Sequence, residues 1–200
     1  MRRRRCAKLE IAAMDLASRV NHGMDWFSKR PDNLIHSPRA DRRPSVSEIS
    51  PSLLIGEFPR PEDIPWLKSE FGVTAIHNLQ DDEDLALHGL RERELAAACA
   101  KHGIEFVRTQ VQDGSADAMA ERLTPIIAAL RDLIAKGQRV YLHCNAGLNR
   151  APTLAIAYLR AHGEMSLDEA CGHVKGRRAC GPFMTILEDY FGPRHHKPGK

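Results

Sequence analysis

Aromatic residues are scarce: Phe, Trp and Tyr make up 6% of the 200 residues. A surface that holds its ligand by ring stacking therefore has few platforms to draw on. Cysteine is also sparse. Cys6, Cys99, Cys144, Cys171 and Cys180 are odd in number and contain no CxxC pair. That excludes a disulfide framework and points to free thiols in a reducing, cytoplasmic compartment. No apolar run approaches the roughly 18 residues of a membrane span. The first residues, MRRRRCAKLEIAAMDLA, lack the apolar stretch of a secretory signal and carry Glu10 and Asp15. Internal repeats, low-complexity tracts, collagen periodicity and sustained heptads are all missing.

What is present suits a globular body. Hydrophobic residues are 42% and charged residues 28%, enough to bury a core in a chain long enough for one domain and a tail. The net charge of +3 is unevenly placed. Residues 1–43 hold 11 Lys/Arg against 5 Asp/Glu, and residues 44–200 hold 18 against 21. The basic excess belongs to the leader, so the body is not expected to bind nucleic acid. The expected organisation is a basic, partly helical leader and linker over 1–45, a compact domain over 46–192, and a basic tail over 193–200. Oligomeric state is not legible.

Periodicity predicts a helix over 6–20 and, within the domain, an alternation of strands and helices. Strands are expected at Val46–Ile49, Leu53–Ile55, Val73–Leu79, Ile104–Val107 and Arg139–His143. Helices are expected over 62–71, 84–102 (closed by Gly103), 117–136 (closed by Gly137), 150–162 and 182–191. Ser166 and Glu169 form a capping box for one more, ending near Lys175. This order implies an α/β fold with a central, largely parallel sheet of about five strands flanked by helices.

One segment carries chemistry: RVYLHCNAGLNRAPTLAIAYL, residues 139–159. A strand ends at His143, Cys144 follows, five residues turn, and Arg150 stands at the mouth of an apolar helix. Backbone N–H groups of such a turn, with the positive end of a helix, suit a phosphomonoester dianion. Arg150 offers a planar fork for two phosphate oxygens. Pro152 fits the first turn of a helix. The same positive field favours a thiolate, so Cys144 is the candidate nucleophile. His143 is expected to orient the turn rather than transfer protons. Asn145, Ala146, Gly147, Leu148 and Asn149 complete the phosphate-binding loop, with Ala146 and Gly147 small enough for the backbone to approach the anion. All five are uncharged, which suits a single phosphate on an uncharged or peptide scaffold.

The HCxxGxxR turn between strand and helix resembles that of the cysteine-dependent dual-specificity protein phosphatases. The resemblance implies a general acid on the loop after the preceding strand. Asp113 in EFVRTQVQDGSAD occupies that place; Asp117 is the competitor, but stands where a helix cap or first-turn acid belongs. LLIGEFPRPEDIPWL (53–67), TAIHNLQDDEDLALHGL (74–90) and GRRACGPFMTIL (176–187, with Arg178 and Pro182 in matching places) are similar to the plant starch-excess type of glucan phosphatase, and laforin is a more distant likeness. GMDWFSKRP (23–31) is faintly similar to the segment that leads into that domain.

The resemblance implies removal of phosphate from the C3 or C6 hydroxyls of glucose units in a phosphorylated glucan or another sugar phosphate, with no metal or cofactor. A phosphoprotein phosphatase for Tyr, Ser and Thr, and an inactive phosphate-binding module, are the alternatives. Three departures bear on the substrate. Gly114 follows the acid where relatives often carry an aromatic, and Asn149 precedes the arginine where Gly or Ser is usual. Ala151 replaces a hydroxyl residue, as in the glucan group. The remaining candidate platforms are Trp26, Phe58, Trp66 and Phe183. The DDED run (81–84) reads as a solvated acidic loop rather than a divalent-ion site. Cys180 is the candidate for a protective disulfide with Cys144, should the fold bring them together.

Overall fold

The computed structural model describes residues 42–197. The expected helix over 6–20, the 23–31 stretch and Trp26 lie outside the described residues.

Five strands form one sheet in the order β1-β2-β5-β3-β4. They are β1 (Val46–Ser50), β2 (Leu53–Gly56), β3 (Ala75–Asn78), β4 (Glu105–Arg108) and β5 (Val140–His143). β1 pairs antiparallel with β2, and every other pairing is parallel. The three inner strands, β2, β5 and β3, are buried along their whole length. Inner parallel strands are covered on both faces, which favours apolar runs; β3 and β5 depart from this at their C-terminal ends, where His77, Asn78 and His143 are buried beneath the turn. β1 alternates in burial, as an edge strand does.

Alternation of side chains across the pleat divides the core in two. Leu53, Ile55, Val140 and Leu142 point to one face, where α4 (Ala116–Ala135), α5 (Arg150–His162), α6 (Leu167–Lys175) and α7 (Met184–Phe191) pack. Leu54, Ile76 and Tyr141 point to the other, under α1 (Ile64–Phe71) and α3 (Glu92–Lys101). α5 is buried from Arg150 through Arg160, the central helix of the layer. Ser166 and Glu169 close the expected capping box on α6.

One expected helix divides. The stretch 84–102 forms α2 (Asp82–Leu87) and α3, separated by Gly89 at φ +64°. A glycine in the left-handed region ends a helix at little cost, and here it outweighs the helix-forming residues on both sides. α2 also starts earlier than expected. Asp81 caps it by accepting from the N–H of Asp84, while the Asp84 side chain accepts from the N–H of Asp81. DDED is thus a cap and first helical turn, not a solvated acidic loop. The 62–71 helix opens with a 3-10 turn at Pro61–Asp63.

Gly56 ends β2 where it passes the ring of Tyr141. A Cβ on it would lie 1.9 Å from the Tyr141 hydroxyl and 2.7 Å from the Ser45 carbonyl. Gly56→Ala should therefore lower stability by about 1–3 kcal/mol or more, read as a lower urea midpoint at unchanged slope.

Candidate active site

β5 ends beneath the turn, and α5 begins above it. Cys144 sits between them at the base of a cleft, 3% exposed. The turn presents its carbonyls outward, each to a protein donor. The Cys144 carbonyl accepts from His143 Nδ1 at 3.2 Å, and that of Asn145 from the N–H of Phe58 at 2.9 Å. Arg178 donates to the carbonyls of Ala146 (2.8 Å) and Gly147 (2.6 Å). The Leu148 carbonyl accepts from Gly181, and that of Asn149 from the backbone and hydroxyl of Thr153. Among the described residues, no N–H from Asn145 to Asn149 donates to a protein acceptor. Gly147 has φ +65°, and a Cβ there would meet the Gly56 carbonyl at 2.4 Å. Close packing against β2 thus joins anion approach as a reason for that glycine.

Arg150 is fully buried. Its Nη1 donates to Asp84 Oδ2 (2.7 Å) and to the carbonyls of Val111 (2.6 Å) and Leu79 (3.4 Å). Among the described residues, Nε and Nη2 have no hydrogen-bond acceptor, although Nη2 lies 2.8 Å from Asp113 Oδ1 in an ion pair. Burial opposes the charge on Arg150, but Cys144, Asp84 and Asp113 outweigh it and raise its pKa above the usual guanidinium value. Asp113 stands on the loop between β4 and α4, its side chain 41% exposed, at the lip of the cleft. Asp117 lies in the first turn of α4, capped by Ser115, and does not line the cleft.

The cleft encloses ≈ 570 Å³, within the range of small-ligand sites. Among the described residues, its wall carries the carboxylates of Asp81, Glu83, Asp84 and Asp113 and no Lys.

Residues 56–186 match the dual specificity phosphatase catalytic domain. The chain belongs to that family. Among its curated relatives, phosphoglucan phosphatase DSP4, amyloplastic, from Castanea sativa is 33% identical over 70% of this chain. Phosphoglucan phosphatase LSF1, chloroplastic, from Arabidopsis thaliana is 28% identical over 70% of it. The matches span 38% and 24% of those two proteins' own lengths. Tk-PTP, solved in its active form, shares the fold with a TM-score of 0.62 at 23% identity, over 72% of this chain and 95% of that one.

Within this dual-specificity phosphatase domain, three side chains do work that sequence reasoning assigned elsewhere or not at all. Asp84 is buried, holds Arg150, and accepts from Asn145 Nδ2. Its one local signal is the Asp81–Asp84 capping pair. Gln80, fully buried, donates to Asn145 Oδ1 at 2.7 Å. Arg178, noted only for its matching place, braces the turn from behind and reaches the hydroxyls of Ser45 and Ser47. The unusual Asn149 stands at the N-cap position of α5 without a side-chain cap bond and donates instead to the Gly181 carbonyl at 2.8 Å, tying the turn to the 176–183 stretch.

The aromatic candidates divide. Trp66 packs edge-on to Phe71 beneath Arg43, away from the cleft. Phe183 packs against the main core. Phe58 is buried, stacked on His88 at 4.2 Å, and His88 lines the cleft. Cys180 is a free, half-buried thiol that burial pushes up to about 11.

His143 and His77 lie buried beneath the site. Burial lowers His143 to about 3 and His77 to about 4. Unfolded, both would titrate near 6.5, so below that pH the unfolded chain binds more protons than the native one. The stability they confer is complete above pH 6.5 and is lost as pH falls toward 4. In His77→Asn, the slope of unfolding free energy between pH 6.5 and 4 should fall by up to about 1.4 kcal/mol per pH unit, measured by urea titration across that range. Asp84→Ala leaves the Arg150 charge buried with half its anchorage gone. We expect a loss of about 3–5 kcal/mol together with weaker binding of orthovanadate.

Proposed function

We propose that the protein is a phosphomonoester hydrolase that works through a cysteinyl-phosphate intermediate on a phosphorylated glucan or another carbohydrate phosphate. The observation that carries the reading is the turn itself. From Cys144 to Asn149 each carbonyl is taken by a protein donor on the outside, while the N–H groups of 145–149 have no acceptor among the described residues. Donors gathered on the inner side of a tight turn form an anion-binding nest. Arg150 adds two donors without a hydrogen-bond acceptor among the described residues, Nε and the Nη2 that is ion-paired with Asp113, on a guanidinium fixed through Nη1. A phosphate oxygen pair is the ligand that such a fork accepts.

The chemistry follows in two steps. Cys144 Sγ attacks phosphorus, the S–P bond forms, and the P–O bond to the scaffold breaks. Asp113 gives its proton to the departing oxygen. In the second step the Asp113 carboxylate takes a proton from water, whose oxygen attacks phosphorus. The S–P bond breaks, and inorganic phosphate and the Cys144 thiolate are released. His143, neutral at physiological pH, orients the turn through the Cys144 carbonyl. Ala151 brings no hydroxyl to the second step, and the Thr153 hydroxyl is engaged by Asn149 and Phe183. Breakdown of the intermediate is therefore the slow step for good leaving groups, and an aryl phosphate should show a burst of one product per site before steady turnover.

Two features support an uncharged scaffold with one phosphate. The loop carries no Lys or Arg before Arg150. The Asp81 and Glu83 carboxylates on the cleft wall, neither paired with Arg150, disfavour substrates with further negative charge, such as acidic phosphopeptides. The names of the two plant relatives point to phosphoglucan. The free cysteines among the described residues support a reducing compartment such as the cytoplasm, and no described helix is long and apolar enough to cross a membrane.

Phosphate release from phosphorylated amylopectin should exceed release from phosphotyrosine and phosphoserine/threonine peptides, with Cys144→Ser as the inactive blank. Release from peptides alone would overturn the glucan reading and leave a phosphoprotein phosphatase. No release from any of them, with phosphate still bound, would leave a binding module. Arg150→Lys should impair both binding and turnover, since a point charge cannot replace the fork.

A further inference from the structure

Asn145 follows the nucleophile directly, yet its side chain faces the acid rather than the thiol. We propose that Asn145, locked by Gln80, is the positioning residue that aims the Asp113 carboxyl and selects which of its oxygens carries the proton. The inference rests on the reading of Asp113 as the general acid.

Gln80 is fixed first. It is fully buried at the end of β3. Its N–H donates to Asn78 Oδ1 at 2.7 Å, and its carbonyl accepts from Arg108 Nε at 3.0 Å. Arg108 is itself held by Asp82 and Glu92. Gln80 Nε2 then donates to Asn145 Oδ1 at 2.7 Å. A side-chain amide has one acceptor and one donor end. With Oδ1 turned to Gln80, Nδ2 must face the other way, and there it meets Asp84 and Asp113 Oδ2, the latter at 3.1 Å. The backbone of Asn145 cannot swing to relax this, because its carbonyl is bound by Phe58.

Asp113 is held at both oxygens: Oδ2 by Asn145 and Oδ1 by the ion pair with Arg150 Nη2 at 2.8 Å. A phosphate that takes the Arg150 fork removes the second partner and leaves Asn145 as the side-chain anchor of Asp113. An oxygen that accepts from an amide N–H cannot also point a proton at that donor. The acidic proton is thereby directed to Oδ1, the oxygen facing Arg150 and hence the phosphate and its leaving group. Loss of Asn145 or of its Gln80 lock frees the carboxyl to rotate and to carry the proton on either oxygen.

The test compares kcat/KM for an alkyl phosphate, whose leaving oxygen needs the proton, with p-nitrophenyl phosphate, whose leaving group hardly does. Asp113→Asn sets the reference ratio. Gln80→Met, which keeps the bulk of the buried side chain, and Asn145→Ala should each lower the alkyl-to-aryl ratio at least tenfold. In the Asp113→Asn background neither should lower it further. A merely structural role would depress both substrates alike and leave the ratio in place, which would overturn the proposal. Should Gln80→Met fail to fold, Asn145→Ala alone decides. If Asp113→Asn itself leaves the ratio unchanged, the acid assignment fails and the positioning role with it. If Asp113→Asn moves the ratio and the other two do not, only the positioning role is wrong.

Discussion

The pairing of Arg150 with Asp84 is the interaction on which the rest of the site depends. A guanidinium with no exposed surface is held in place by a carboxylate that is itself buried. Such a charge is tolerable only if a partner and well-placed hydrogen bonds offset the lost hydration. Asp84 and the carbonyls of Leu79 and Val111 meet that need at one end of the guanidinium. The other end is left short of acceptors, so the cavity is charged and rigid before any ligand arrives. Preorganisation of this kind spares the reaction the reorganisation that a flexible cation would need.

The turn obeys the same logic. Its carbonyls, which would repel an anion, are each drawn away by donors from several parts of the chain: Phe58, Thr153, Arg178 and Gly181. Peptide planes have two sides, so fixing every oxygen outward fixes the N–H groups inward. Gly147 permits both the left-handed backbone and the close contact with Gly56 that this requires. The placement of Cys144 thus depends on packing across the sheet as much as on its own motif.

That dependence explains what could be read from sequence. Strand, Cys144, Gly147, Arg150 and apolar helix are contiguous, so their geometry is local and legible. The parallel sheet follows from the alternation of apolar strands and amphipathic helices. Asp84 was not legible. It lies 66 residues from Arg150 in a run of four acids, any of which could have been the buried one. Gln80 and Asn145 meet across 65 residues, through a side-chain amide whose direction only the fold decides. Gly89 is a local signal, masked by the strong helix formers on both sides of it. Phe58 is legible as an aromatic, but its partner His88, which lines the cleft, stands 30 residues away and carries no local mark of that stack.

Arg178 also draws in a part of the chain that the family match omits. The match begins at residue 56, yet the guanidinium that braces the turn is shared with the hydroxyls of Ser45 and Ser47, on and before the edge strand. A single side chain separates them from the Ala146 and Gly147 carbonyls. A fragment cut at the family boundary would keep every reacting group and lose this backing. The mechanical support behind the loop thus begins ahead of the border at which the family match starts.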